Sequence, residues 1–438
     1  MPPNILYMHS HDTGRYVSPY GYAVRTPNVQ RFAEQGVLFR QAFCANPTCS
    51  PSRASLLTGQ CAHSSGMLGL AHRGFHLTDY RQHIVHTLRQ AGYESTLCGI
   101  QHLAQDASII GYDRILKSQG SRAEHRASAA VKFLRHHPAE PFFLSLGFIE
   151  THRKFPEPAT EDDPRYTRPP APLPDTPQTR RDMAAFNTMA HQLDAGFGHV
   201  VDALDETGLA ENTLVMITTD HGIAFPNMKC NLTDHGIGVM LMIRGPGGFA
   251  GGKVMDAMVS QIDIFPTICE LLQIERPSWL QGNSMLPLIR GDAESIRDEI
   301  FAEVNFHAAH EPMRCIRTKR YKYIRRFDGR NRAVLPNCDD SPSKDEWLAQ
   351  GWRPRHIAEH QLYDLAFDPH ETNNVVDRAE NANVLAELKQ RIETWMRQTD
   401  DPILRGPLML REGMKMNHPD QLSPGDPPEM IATSRPAP

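Results

Sequence analysis

The chain of 438 residues has an ordinary globular composition, with 40% hydrophobic and 22% charged residues. A net charge of −5 without a Lys/Arg cluster excludes the usual footprint of a nucleic-acid partner. No stretch reaches the roughly 18 apolar residues of a membrane span, and the first residues lack the pattern of a secretory leader. We therefore expect a cytoplasmic protein, with no membrane attachment, whose eight cysteines are mostly free and buried.

Short apolar runs alternate with amphipathic segments through about residue 290. The apolar runs predict strands over residues 4–9, 37–43, 94–100, 141–149, 212–219 and 238–243. The amphipathic segments predict helices over residues 27–36, 52–57, 83–91, 122–136, 180–207 and 262–272. This alternation predicts an α/β fold in which helices sandwich a mainly parallel sheet.

The pattern changes beyond residue 291. Short antiparallel strands are predicted at residues 301–305, 314–318, 321–327 and 361–365, and a helix at residues 381–397. We expect an α/β domain over residues 1–295 that carries the site, a smaller α+β subdomain over 296–400, and a Pro- and Met-rich tail over 401–438. The tail either wraps the body or is disordered.

Polar residues follow four of the predicted strands at their carboxyl ends. They are His11-Asp12, Gln101-His102, Thr151-His152 and Asp220-His221. Because ligands of such sheets bind beyond the carboxyl ends of the strands, these residues are expected to share one site. Two Asp and two His there would bind a divalent metal. Nearby cations, Arg53, Arg153 and Lys229, would hold the negative charge of an ester.

The segment Cys49-Ser50-Pro51-Ser52-Arg53, followed by Ala-Ser-Leu-Leu-Thr-Gly, resembles the sulfatase motif. Further stretches resemble the same family over essentially residues 3–400. They are residues 3–6 with 12–14, 212–222, Lys229 with 233–236, 361–365 and 368–374. The resemblance implies an alkaline-phosphatase-like fold and hydrolysis of a sulfate ester or sulfamate, with a sulfated small molecule or saccharide as substrate.

The resemblance also implies residue roles. A formylglycine-generating enzyme would oxidise Cys49 to formylglycine, whose hydrate attacks sulfur and later expels sulfate. Arg53 would hold the formylglycine, His102 would take the proton from the hydrate, and His152 and Lys229 would bind the sulfate and assist the leaving group. The implied ligands of one metal ion are His11, Asp12, Asp220 and His221. Ca²⁺ is expected first, with Mn²⁺ as the alternative.

Three positions depart from the common sulfatase pattern. Many sulfatases have a second Asp in place of His11, an Asn in place of His221, and a Lys in place of Ile100. The Asp220-His221 pair resembles phosphonate monoester hydrolases and phosphodiesterases, so a phosphonate monoester or phosphodiester hydrolase on the same scaffold stays an alternative. A non-catalytic shell that binds sulfated glycans is a further alternative.

Two stretches resemble the heparan N-sulfatase branch, namely Thr151-His152-Arg153 and residues 311–318. Arg153, His307 and Arg314 would then face the sugar, although Arg314 would equally suit ordinary pairing in a C-terminal sheet. His235 is a further candidate for substrate binding, or belongs to a turn before Gly236. Most of the other histidines (His9, His63, His72 and His76) are expected at the surface, and Cys44 and Cys61 are expected to be small core residues. The sequence leaves open whether the chain forms an oligomer.

Overall fold

The computed structural model describes residues 2–431. An eight-stranded sheet forms its centre, with the spatial order β4-β3-β5-β1-β6-β7-β2-β8. The strands are β1 (Asn4–Ser10), β2 (Val37–Phe43), β3 (Glu94–Gly99), β4 (Arg114–Leu116), β5 (Phe142–Gly147), β6 (Thr213–Thr219), β7 (Leu241–Arg244) and β8 (Lys253–Ser260). All neighbouring pairs are parallel except those that involve β7.

Eleven helices accompany the strands in the described part of the chain. They are α1 (Pro27–Gln35), α2 (Cys49–Thr58), α3 (Ala62–Ser65), α4 (Ile84–Gln90), α5 (Ala123–Arg135), α6 (Pro177–Glu206), α7 (Asp234–Ile237), α8 (Ile264–Leu272), α9 (Leu286–Arg290), α10 (Pro342–Ala349) and α11 (Ala382–Gln398). Among the described residues, no helix combines the length and the apolar character that a bilayer crossing requires.

Helices cover both faces of the large sheet, and β1 shows how. Its side chains alternate between two cores, since Ile5 and Tyr7 enter one and Leu6 and Met8 enter the other. Helices α5 and α6 line the second core, and α2, α4 and α8 line the first. The strand is therefore apolar on both faces, which is why it reads as an unbroken hydrophobic run.

A second, antiparallel sheet has the order β12-β11-β10-β9. Its strands are β9 (Glu299–Phe306), β10 (His310–Thr318), β11 (Tyr321–Arg326) and β12 (His360–Asp364). One face contributes Ile300, Val304 and Cys315 to the first core of the large sheet. The other face packs against α11. The two sheets thus share a core.

The tail wraps the body. Asn417 accepts a hydrogen bond from Arg73 at 2.8 Å, and Lys344 donates to the backbone oxygen of Leu422 at 2.6 Å. Two short strands, β13 (Lys415–Met416) and β14 (Met430–Ile431), pair within it. Residues 432–438 of the predicted tail lie outside the described residues.

The predicted fold class is confirmed, as is the expectation of free thiols: all eight cysteines are unpaired and seven are buried. The pattern missed β8, whose first five residues are not buried and show no apolar run. It also missed α10, which has no amphipathic pattern. The predicted strand over residues 238–243 proved to be β7, which runs against its neighbours.

Candidate active site

Four parallel strands, β1, β3, β5 and β6, end at one edge of the large sheet. Ser10 at the end of β1 lies in register with Thr219 at the end of β6. The next residues along the chain, His11-Asp12 and Asp220-His221, are therefore side by side. The sheet register alone brings two Asp and two His together.

Cys49 completes a buried cluster with these four residues. The five side chains each offer one ligand atom within 4.8 Å of the others. His11 Nδ1 lies 2.7 Å from Asp12 Oδ1 and 3.1 Å from Asp220 Oδ2. His221 Nε2 lies 3.3 Å from Asp12 Oδ1 and 3.4 Å from Cys49 Sγ. A metal ion and the nucleophile expected at Cys49 could thus be neighbours.

Helix α2 carries Cys49 as its first residue and Arg53 one turn later, on the same face. Arg53 donates to Asp220 Oδ2 at 2.9 Å and to the backbone oxygen of Ser10 at 3.0 Å. Its other terminal nitrogen contacts His9 Nδ1. The spacing in the pentapeptide thus places a cation beside residue 49 and clamps it to the end of β1.

Lys229 is buried between two carboxylates. Its Nζ lies 2.8 Å from Asp12 Oδ2 and 2.8 Å from Asp339 Oδ2. Burial lowers the pKa of Lys229, but Asp12 and Asp339 outweigh it and raise the pKa well above its usual value. Lys229 therefore stays cationic in the site.

Burial decides the protonation of several other groups. It raises the pKa of the Cys49 thiol well above its usual value, so an unmodified thiol there would stay protonated. It lowers the pKa of His11 to about 4. Burial also raises the pKa of Asp220, but nearby groups led by His11, His221 and Arg53 outweigh it, so this pKa lies well below its usual value. The site thus contains carboxylates beside neutral His11.

His102 and His152 both pack against His11. Their ring centroids lie 5.8 Å and 4.5 Å from that of His11. Burial holds the pKa of His102 well below its usual value, and its Nδ1 has no hydrogen-bond partner among the described residues. Its Nε2 lies 3.1 Å from Nδ1 of His72. His102 is therefore neutral, and one of its ring nitrogens is left without a partner among the described residues.

Two protein-family models match the sequence of this chain. The model described as Sulfatase matches residues 3–274, and the model described as N-sulphoglucosamine sulphohydrolase, C-terminal, matches residues 228–347. The chain belongs to the sulfatase family. It is a sulfuric ester hydrolase, and the fold expected from the motif resemblance is confirmed.

Individual relatives agree with this assignment. The sulfatase is 29% identical to N-sulphoglucosamine sulphohydrolase of Homo sapiens, covering 93% of this chain and 92% of the human one. It is 24% identical to an ulvan-active sulfatase of Formosa agariphila, covering 91% of this chain and 75% of the relative. Both alignments cover more than nine tenths of this chain.

Solved structures share the fold. One, described as a complex with its substrate D-glucosamine-2-N,6-O-disulfate, superimposes with a TM-score of 0.72 at 20% identity and covers 93% of this chain and 99% of its own. The phosphonate monoester hydrolase of Agrobacterium radiobacter superimposes with a TM-score of 0.70 at 22% identity, covering 93% and 100%. At these identities the likeness extends to the architecture alone.

Two residues predicted to bind substrate, Arg153 and His235, have their polar groups engaged by protein in this sulfatase. Arg153 forms a bidentate pair with Asp182 at 2.7 and 2.8 Å and stacks on Phe155. Nδ1 of His235 contacts the Tyr16 hydroxyl at 3.2 Å, and its Nε2 contacts His370 at 3.1 Å. Such contacts favour a role in shaping loops around the site.

Arg314 lies in the interior of the second sheet, with none of its surface exposed. Its guanidinium donates to both carboxylate oxygens of Asp401, at 2.6 and 2.9 Å, and to the backbone oxygen of Val304. The expectation that it faces a sugar is corrected here, because a sealed side chain cannot reach one. The alternative, ordinary strand pairing, fits this placement.

His307 lies near the site, since Lys229 and His221 both influence its charge state. It is 5% exposed, burial lowers its pKa well below the usual value, and its Nδ1 has no partner among the described residues. Of the proposed sugar-facing residues, His307 is the one whose ring keeps an unused polar atom.

Sequence reasoning missed Asp339, and it misplaced two histidines. Asp339 lies in the loop between β11 and β12, where only the adjacent pair Asp339-Asp340 just before the start of α10 could have signalled it. His9 and His63 are buried rather than at the surface. Arg53 contacts the ring of His9 and Glu303 contacts the ring of His63, and these partners replace the hydrogen bonds to water that burial removes.

Proposed function

We propose that this sulfatase hydrolyses a sulfate ester or a sulfamate on a sugar through a formylglycine made from Cys49. One observation carries the proposal: the first residue of α2 lies in a sealed cluster of two carboxylates and two imidazoles, beside the cations Arg53 and Lys229. The human relative is named for a sulphohydrolase of N-sulphoglucosamine, so an N-sulfated amino sugar is the first substrate class to test.

The modification at Cys49 answers a physical difficulty. A thiol whose pKa is raised by burial is a weak nucleophile, and a simple thiol ester intermediate offers no easy exit for sulfate. Formylglycine supplies a hydrated aldehyde, with one hydroxyl to attack and one to drive release. We propose a formylglycine-generating enzyme as the maturation partner, with Pro51 and Arg53 in the segment that it reads.

The residues present fit a divalent metal. His11, Asp12, Asp220 and His221 would hold it, because their carboxylate and imidazole atoms converge and are shielded from water. Such an ion would polarise a sulfate oxygen and orient the nucleophile. We propose Ca²⁺ first, as the family resemblance implies, and Mn²⁺ as the alternative that the two imidazoles favour.

The protein's own groups divide the remaining work. Arg53 and Lys229 hold the sulfate charge, and Arg53 also orients residue 49 from the same helix face. His102, neutral and with Nδ1 unpaired, accepts the proton from the attacking group. His152 and Lys229 would bind the sulfate and assist the leaving oxygen or nitrogen, as the family resemblance implies.

Parallel assays test the proposal. The purified protein would be offered an aryl sulfate, glucosamine N-sulfate, glucosamine 6-O-sulfate and a phosphodiester, with Cys49→Ala as the blank. We expect turnover of a sulfated compound, and peptide mass mapping should show residue 49 as the aldehyde. Full activity with an intact Cys49 thiol would contradict the mechanism.

The phosphonate monoester or phosphodiester alternative rests on the Asp220-His221 pair. It predicts that the phosphodiester is turned over faster than every sulfated compound. A non-catalytic binder predicts an unoxidised Cys49 and no turnover of any ester. The same panel of substrates separates these three outcomes.

A further inference from the structure

A cavity outside the catalytic cluster lies against helix α6. It has a volume of about 610 Å³, which is within the range of small-molecule sites in proteins. Met183, Asn187 and His191 line it from one face of the helix, because residues four apart lie one turn above each other. None of the residues proposed for catalysis or for metal binding lines this space, which we call the α6 cavity.

Two tyrosines of the loop after β1 also line the α6 cavity. The ring centroids of Tyr16 and Tyr22 lie 4.2 Å apart. The hydroxyl of Tyr16 lies 3.2 Å from Nδ1 of His235, and the ring of His235 stacks on that of His370. These contacts hold the aromatic side chains in place before a ligand arrives, so binding would cost little side-chain entropy.

The segment around Asp162 and Tyr166 completes the lining. Asp162 is 6% exposed, and its Oδ2 accepts from the Thr188 hydroxyl at 2.7 Å and lies 3.4 Å from Nδ1 of His191, so the segment is fixed to α6. Tyr166 is 85% exposed, although the guanidinium of Arg165 lies over one face of its ring. An aromatic ring this exposed beside a cavity is available to pack on a ligand.

Asn187 brings an unused acceptor to the α6 cavity. The side chain is 7% exposed, and its Oδ1 has no hydrogen-bond partner among the described residues. A buried amide oxygen without a donor is unfavourable, and a hydroxyl group of a ligand would supply the missing hydrogen bond. The cavity therefore favours a ligand that carries hydroxyl groups.

The charges of the lining oppose an anionic ligand. Three carboxylates (Glu161, Asp162 and Asp163) and two guanidinium groups (Arg25 and Arg168) border the α6 cavity. A sulfated or carboxylated ligand would meet more negative than positive charge there. Carboxylate, amide and phenol groups can pair with the hydroxyls of an uncharged pyranose, and aromatic rings can pack on its C–H face.

We propose that the α6 cavity is a second saccharide site, which binds one uncharged pyranose unit apart from the catalytic cluster. The ring of Tyr166 packs on the apolar face of the sugar, and Oδ1 of Asn187 accepts a hydrogen bond from one of its hydroxyls. The proposal rests on the proposed function only in that a saccharide substrate brings such units to the protein surface.

N-Acetylglucosamine, an uncharged pyranose, is the probe for this site. Saturation-transfer NMR on the full-length protein should show transfer to the sugar, and a titration gives the dissociation constant. Tyr166→Ala should weaken binding at least about fivefold, because it removes the stacking ring. Phe367→Ala alters an aromatic residue that is 84% exposed and does not line the cavity, and it should bind like the wild-type protein. Equal dissociation constants for the two variants would overturn the proposal.

A second variant and a second probe complete the design. Asn187→Leu nearly keeps the side-chain volume but removes the acceptor, and it should weaken the binding of N-acetylglucosamine several-fold. If that variant fails to fold, Tyr166→Ala decides alone, because an exposed side chain contributes little to stability. Saturation transfer to tetramethylammonium with none to N-acetylglucosamine would identify an ammonium site and overturn the proposal. Neither measurement requires turnover of a sulfate, so a failure of the proposed function is distinguished from a failure of this one.

Discussion

At the scale of single residues, charge pairing explains which polar side chains this sulfatase can bury. The carboxylate of Asp12 can be buried because Lys229 pairs with it, and the carboxylate of Asp220 can be buried because Arg53 pairs with it. In both pairs the buried carboxylate has an opposite charge within hydrogen-bonding distance, which offsets the cost of desolvation. The same rule identifies Asp339, which shares Lys229 with Asp12.

Asp339→Asn should shift the alkaline limb of the pH–activity profile. Lys229 has to be protonated to hold sulfate, so activity falls as pH rises through its pKa, which Asp12 and Asp339 raise. Removing one carboxylate lowers that pKa, so the loss of kcat/KM should begin at a lower pH than in the wild-type protein. Asp340→Asn, which alters the neighbouring exposed carboxylate, should leave the limb in place.

His102→Asn should lower kcat by about 10² to 10⁴ with little change in KM, as expected for a residue that moves a proton in the transition state. His76→Asn, which alters an exposed histidine outside the cluster, is the matched control. An unchanged kcat in the His102 variant would remove this residue from the proton path.

At the scale of elements, helix termini position the chemistry. Helix α2 begins at Cys49 and ends at Thr58, and the following Gly59 adopts the left-handed conformation with φ 67° that closes a helix. Helix α6 starts with a capping box between Thr176 and Thr179 and runs for 30 residues, and its second half lines the second core. The positions of the helix termini matter because residues of the site lie at or next to them.

Thr176→Ala should destabilise the protein by about 1 kcal/mol, because it removes the oxygen that accepts from the Thr179 backbone nitrogen. Urea unfolding followed by circular dichroism measures the change. Thr176→Ser retains the hydroxyl and should stay near the wild-type midpoint. Equal midpoints for the Ala and Ser variants would show that the cap contributes nothing.

At the scale of the whole molecule, the tail ties the second sheet to the loop of His72 and Arg73. Asn417 is fully buried, accepts from Arg73 at 2.8 Å and donates to the backbone oxygen of Asp426 at 2.8 Å. Lys344 on α10 anchors the same segment. The tail thus supports a loop whose His72 touches His102.

Asn417→Ala should release residues 415–427 from the body. Limited proteolysis should cut this segment several-fold faster than in the wild-type protein, and hydrogen exchange there should rise while the large sheet stays protected. Asp420→Asn changes an exposed partner of Arg330 in the same segment and should leave the cleavage rate unchanged. Equal protection of both variants would contradict the role of Asn417.

Much of the fold could be predicted from local pattern. The buried strands of the large sheet are apolar on both faces, and the amphipathic helices carry clear stop signals such as Gly92 after α4. Strand β8 and helix α10 were not predicted, because each is half exposed and has neither an unbroken apolar run nor a periodic apolar pattern. Whether β7 runs parallel or antiparallel is set by the strands it pairs with, and the residues of one strand do not specify its partners.

The sequence by itself predicted a helix over residues 52–57, directly after Cys49, and it placed His or Asp residues just beyond the ends of four strands. Those features are local, because helix periodicity and strand termini follow from neighbouring residues. Only the tertiary structure decided which charges share a partner: Asp339 with Lys229, Arg314 with Asp401, and His63 with Glu303. The latter two groupings join segments 87 and 240 residues apart, and it is the packing of two sheets on one core that brings such segments together.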